Sequence, residues 1–155
     1  MTKTIKIATL THLTGEVKEQ TFKRKTKNRA GFIMVYKSAF EVTGALAKAN
    51  DCYSIVAYLA IIESLIPDSN IVKTSTMELS LKANYAQRNI GRTLDVLQSI
   101  GAILHSKIEK TNFIQIIVNP KHVFNGSGIR AEIAQDVWNE QWKNFLQKKE
   151  MYIKD

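Results

Sequence analysis

Residues 76–120 read TMELSLKANYAQRNIGRTLDVLQSIGAILHSKIEKTNFIQIIVNP, and the reading of this stretch decides the fold. It opens on a short helical pattern. Ser75 or Thr76 can cap it, and Glu78 falls in the first turn, where the helix dipole favours an acid. Met77, Leu79 and Leu81 supply apolar contacts. Residues 82–85 make a turn, with Asn84 tolerant of left-handed backbone. A second helix is predicted from about Ala86 to Ser99. Its buried stripe is Ile90, Leu94 and Leu97, with Ile100 just past the end, at spacings of four, three and three. Gly101 stands where helix C-caps place glycine. Two alternating strands follow, 102–108 and 113–118, around the polar tip Glu109, Lys110, Thr111 and Asn112.

Helix, turn, helix and two strands in that order outline a winged helix-turn-helix, whose second helix normally lies in the DNA major groove. The predicted fold class is therefore α+β: a winged helix-turn-helix domain with an N-terminal β-hairpin and a C-terminal amphipathic helix. Three segments are expected: a basic hairpin arm (1–30), the winged-helix domain (31–124) and the C-terminal helix (125–155). Early in the second helix the residues left facing outward are Gln87, Arg88, Asn89, Gly91, Arg92 and Thr93. These are the donors that base edges require, since Arg bonds guanine bidentately and Gln or Asn bonds adenine. Gln87, Arg88, Asn89 and Arg92 are the candidate base readers. Gly91 costs about 1 kcal/mol of helix propensity and fits either close approach of the backbone to a duplex or an internal packing demand. The tip carrying Lys107, Lys110, Thr111 and Asn112 would be the wing, with its lysines near phosphates. A winged unit used for protein contact remains the plain alternative.

Upstream, residues 4–11 and 17–25 alternate as half-buried strands do, with a glycine turn near Thr14 and Gly15, so a β-hairpin is predicted. Lys3, Lys6, Lys18, Lys23, Arg24, Lys25, Lys27 and Arg29 lie in this arm and only Glu16 and Glu19 oppose them. The chain carries a net charge of +8 and a pI near 9.6, and most of that excess sits here. Such a balance favours an anionic partner, nucleic acid or an acidic membrane surface. Closely spaced cations displace counterions condensed on DNA, which makes Lys23, Arg24, Lys25, Lys27 and Arg29 candidate backbone contacts. The bland reading is a solvated loop.

Between arm and reading unit, Gly31 to Tyr36 forms an apolar run that enters a helical pattern of Phe32, Val35, Tyr36, Ala39, Phe40 and Leu46. Asn50 and Asp51 close that helix and can cap the next, in which Ile55, Val56, Leu59, Ile62, Leu65 and Ile66 are apolar nearly all round, as in a buried helix. Pro67 ends it. Residues 71–74 read as a short extended piece. Beyond Pro120, the stretch 125–128 is a flexible break. A helix from Ile129 to about Lys149 then carries Trp138, Trp142 and Phe145, and the last residues are expected to fray. Its aromatic face suits either folding back on its own core or a dimer interface, the latter fitting repeated or palindromic DNA sites.

The ordered set of features resembles the plasmid replication protein RepL family of Gram-positive bacteria. Four pieces carry the likeness: the Thr14-Gly15-Glu16-Val17 turn, and Gly31 to Tyr36 entering the first helix. The others are Arg92-Thr-Leu-Asp-Val-Leu-Gln-Ser-Ile-Gly-Ala-Ile, and Val118-Asn119-Pro120 followed by Phe124-Asn-Gly. The resemblance implies a plasmid-encoded initiator that binds its replication origin and recruits host replication proteins. Carried over, it places DNA reading on residues 87–92 and the wing on 107–112. One departure stands out: Ala86 occupies a place where such helices often begin with Ser or Thr. Capping then falls to Asn84, or the helix begins slightly elsewhere.

Chemistry by the chain itself is not expected. His12, His105 and His122 lie on different elements without metal-ligand spacing, and no Gly-rich nucleotide loop occurs. A nicking enzyme would need a metal cluster beside its tyrosine, and none accompanies Tyr36, Tyr53, Tyr58, Tyr85 or Tyr152. No cofactor or metal is expected. The one cysteine, Cys52, excludes an internal disulfide and reads as a buried small hydrophobe in a reducing cytoplasm. The N-terminus lacks a signal-peptide pattern, and the longest apolar stretch, 55–66, is too short for a bilayer. The expected protein is cytoplasmic and makes no use of a membrane. Its expected partners are double-stranded DNA (a replication origin or an operator), a second copy as homodimer, and host replication proteins. A winged-helix transcriptional regulator needs the same reading helix, and a protein-interaction module uses the same fold without DNA.

Overall fold

Alternation in the first residues builds a two-stranded ribbon. In the computed structural model, which describes residues 2–10, 17–25 and 33–153, β1 (Thr2–Leu10) pairs antiparallel with β2 (Val17–Lys25). The register sets Thr2 opposite Lys25 and Leu10 opposite Val17. The turn near Thr14 and Gly15, Lys27 and Arg29, and the entry of Gly31 and Phe32 lie outside the described residues. The chain divides into two compact units, Met1–Gly31 and Phe32–Asp155, so the C-terminal helix belongs to the larger unit.

In that unit, the apolar run at 33–36 does not begin a helix. Met34–Val35 is a short strand, β3. It pairs antiparallel with β7 (Val123–Phe124), which gives its backbone groups partners that an isolated helical turn would lack. The first helix, α1, runs Lys37–Lys48 and buries Ala39, Val42 and Leu46, while Phe40 is 68% exposed against the periodic reading. Next comes α2, Cys52–Glu63, capped as expected: the Asp51 carboxylate accepts from the Ser54 N–H at 3.0 Å and from the Ser54 hydroxyl at 2.6 Å. The expectation that this helix is buried all round fails. It packs on α1 and on the helices downstream through Ser54, Ala57, Tyr58, Ala60 and Ile61, leaving Tyr53, Val56 and Leu59 exposed. Cys52 is exposed too, because it is the first residue past the cap, on the outer side.

A three-stranded antiparallel sheet follows, with β4 (Ile71–Ser75) and β5 (Ile103–Lys107) flanking β6 (Phe113–Val118). Between β4 and β5 lie α3 (Thr76–Ala83), a 3-10 turn over Gln87–Asn89, and α4 (Ile90–Ser99). Period-two alternation sorts the sheet's faces. Val72, Ile103, Ile114, Ile116 and Val118 join Leu79, Ile90, Leu94 and Leu97 in the core. Ile71, Gln115 and Ile117 face the other way and share a groove with α5 (Gly128–Ile153), whose Trp138 is buried. The architecture is mixed α+β. Among the described residues no helix is long and apolar enough to cross a membrane.

Candidate nucleic-acid interface

The helix pair α3–α4 is fixed at its start by a reciprocal cap. Ser75 Oγ accepts from the Glu78 N–H at 3.2 Å, and Glu78 Oε2 accepts from the Ser75 N–H at 3.2 Å and from Thr74 Oγ1 at 2.8 Å. Asn84 ends α3 in the left-handed region, φ 53°, the role its short polar side chain permits. The Tyr85 N–H and the Ser80 hydroxyl then tie the turn back, the latter donating to the Tyr85 carbonyl at 2.7 Å. Burial pushes the Tyr85 phenol's pKa up, and its ring meets Tyr53 edge-on with centroids 5.3 Å apart.

With Asn84 engaged there and Ala86 unable to cap, the next helix begins four residues later than expected. Ala86 is extended, residues 87–89 form one 3-10 turn, and regular α4 starts at Ile90. Gln87 is exposed, but its Nε2 donates to Thr76 Oγ1 at 2.8 Å, so its amide is held toward α3. Asn89 is half-buried; together with Arg92 it lines a cleft of about 390 Å³ facing Asn50, Asp51 and Tyr53. Thr93 is buried, donating to the Asn89 carbonyl at 2.9 Å, and Ile100 is 43% exposed rather than part of the stripe.

What faces outward along the 3-10 turn and the start of α4 is thus Arg88, Gly91, Arg92 and Asp95, at spacings of three, one and three. Neither arginine forms an ion pair with a described residue, which leaves both guanidinium forks able to take external acceptors. An added Cβ at Gly91 would meet open space, so no internal packing demands glycine there. Asp95 is the residue that pattern reading missed: it is exposed, and its Oδ1 lies 3.1 Å from His105 Nε2 on β5. Its signal was its place one turn past Arg92 on the outward side.

Gly101 closes α4 at φ 74°, as the sequence predicts, and α4 leads directly into the β5–β6 hairpin. At its tip Lys107, Lys110, Thr111 and Asn112 are all exposed. Lys110 is left-handed at φ 61°, and Thr111 Oγ1 both donates to the Ile108 carbonyl and accepts from the Phe113 N–H, which sets the tip's shape without using the lysines. On the other unit, the backbone of Lys23, Arg24 and Lys25 lies at the end of β2, opposite Thr4, Lys3 and Thr2.

The aromatic trio of α5 is turned inward. Trp138 is 3% exposed, its ring stacks on Trp142 at 5.9 Å, and Trp142 meets Phe145 at 5.3 Å and approaches Gly101. His105 and His122 stand apart; burial lowers the pKa of His122, which packs near the start of α1. No protein-family model, curated protein or solved structure matches the chain.

Proposed function

We propose that the chain is a sequence-specific double-stranded DNA-binding protein of the winged-helix type. In this reading α4 enters the major groove, the β5–β6 tip is the wing on the backbone, and the basic ribbon adds phosphate contacts. The observation that carries it is the outward side of the 3-10 turn and α4: two uncommitted arginines, Arg88 and Arg92, flanking a glycine that nothing inside the protein requires. An interior-facing explanation of Gly91 is removed by the open space around it, and close approach of a duplex backbone supplies one. Arg88 and Arg92 would read guanine bidentately, and Asp95 could accept from a cytosine amino group. Likeness to the plasmid initiators supports origin binding and recruitment of host replication proteins as the biological role. A transcriptional regulator would use the same surface.

Binding to plasmid and random duplexes across a salt series tests the molecular part. Specific binding should weaken steeply with salt, and Arg88→Ala should cost roughly 1–3 kcal/mol on the preferred site but little on random DNA. No binding at low salt removes the DNA reading. Loss of the plasmid on deletion of the gene, against mere change in transcript levels, separates initiator from regulator.

A further inference from the structure

We propose that α5 pairs antiparallel with α5 of a second copy of this chain, about a two-fold axis near Glu140, using the side of the helix opposite its tryptophans. The helix is 26 residues long, about 39 Å. Its inner side is occupied in its own subunit by Ala131, Trp138 and Trp142. The outer stripe runs Ile129, Ile133, Val137, Glu140, Asn144, Gln147, Met151 at three- and four-residue steps, and every one of these is exposed. Ile129 is 74% exposed, Ile133 62% and Met151 71%, more apolar surface than a solvated helix face needs. The stripe is continuous with a groove of about 360 Å³ between α5 and the sheet, walled by Ile71, Ile117, Phe124 and Val137.

Two further observations select the occupant and its direction. Residues 146–152 are all exposed yet remain helical through Ile153, where fraying was expected. Terminal turns without tertiary packing are marginal on their own, and a partner helix supplies that packing. The charges are also divided by half. Residues 128–140 hold three acids against Arg130, and residues 141–153 hold three lysines against Glu150. This division complements each helix's own dipole, and antiparallel pairing uses it a second time, whereas parallel pairing sets like halves together. In the antiparallel register Ile129 lies against the partner copy's Met151, and Asp136 against its Lys143, each pairing made twice as two-fold symmetry requires. Asp136 and Lys143 are seven residues apart on one flank, so within one helix they are two turns distant and not each other's neighbours. Glu140 meets its own copy at the axis.

Sedimentation equilibrium on the full chain without DNA tests this pairing independently of any DNA reading. The wild type should form a dimer, Asp136→Lys should weaken it at least about tenfold through two repulsive pairings, and Asp136→Lys with Lys143→Asp should restore it. Glu140→Gln should tighten it by removing the repulsion at the axis. Ile133→Glu should give a monomer whose helical circular dichroism falls by no more than the last turns of α5, since Ile133 is exposed in the single subunit and only residues 146–152 lean on the partner for their helicity. A wild type that is monomeric at all concentrations overturns the proposal. So does a dimer indifferent to Asp136→Lys, or a double variant that stays apart.

Discussion

Tyr58 is fully buried, and its hydroxyl finds no hydrogen-bond partner among the described residues. Burial pushes the phenol's pKa up, as expected where the charged form cannot be solvated. A polar atom left so costs free energy, whereas deleting it leaves the ring's packing intact. Tyr58→Phe should therefore stabilise the fold, by about 1 kcal/mol in urea unfolding; a loss of stability would mean that the hydroxyl has a partner after all. Gly91 gives a second, sharper case. Because its surroundings are open, Gly91→Ala should raise stability by about 0.8–1.0 kcal/mol from helix propensity alone. If a duplex backbone comes close, the same methyl should weaken DNA binding. Opposite signs in the two measurements support the reading; improved stability with unchanged binding would show that nothing approaches α4 there.

At the scale of elements, burial direction decides what a substitution in α2 does. Ile61 is fully buried and Leu59 is 54% exposed, although the two are equally apolar and lie two positions apart. Ile61→Ala should cost about 2–5 kcal/mol, and Leu59→Ala should stay within about 0.5 kcal/mol, read by the same unfolding curves. The sequence could not order these two, because an all-apolar helix has no polar side to mark the outside. Where the pattern had contrast, more was legible: the antiparallel hairpin, the Asp51 and Ser75 caps, left-handed Asn84 and Gly101, and all three strands of the sheet that carries the β5–β6 tip. The start of α4 was not legible. With Asn84 spent on closing α3 and no Ser or Thr at position 86, one turn tightened to 3-10, and that regrouped the candidate readers. Gln87 and Asn89 were drawn toward the protein, while Arg88 and Arg92 stayed outside. Periodicity likewise found the aromatic side of α5 but could not say whether its own sheet or another copy covers it.

For the whole molecule, the informative quantity is where the charge lies. Residues 1–30 carry eight cations against two acids, so six of the net +8 belong to the ribbon unit and its following segment, and the larger unit is nearly neutral. An affinity set by counterion release should then depend chiefly on the smaller unit, while discrimination between sequences should depend on the larger one. Changing Lys23, Arg24 and Lys25 together to Gln should lower binding to preferred and random duplexes by the same factor. It should also flatten the slope of log affinity against log salt by up to about 2.7, at roughly 0.9 for each phosphate no longer neutralised. Arg88→Ala should instead narrow the gap between the two duplexes with the slope nearly kept. If the triple change leaves the slope where it was, the ribbon does not touch phosphates through those side chains, and its charge serves another anionic partner.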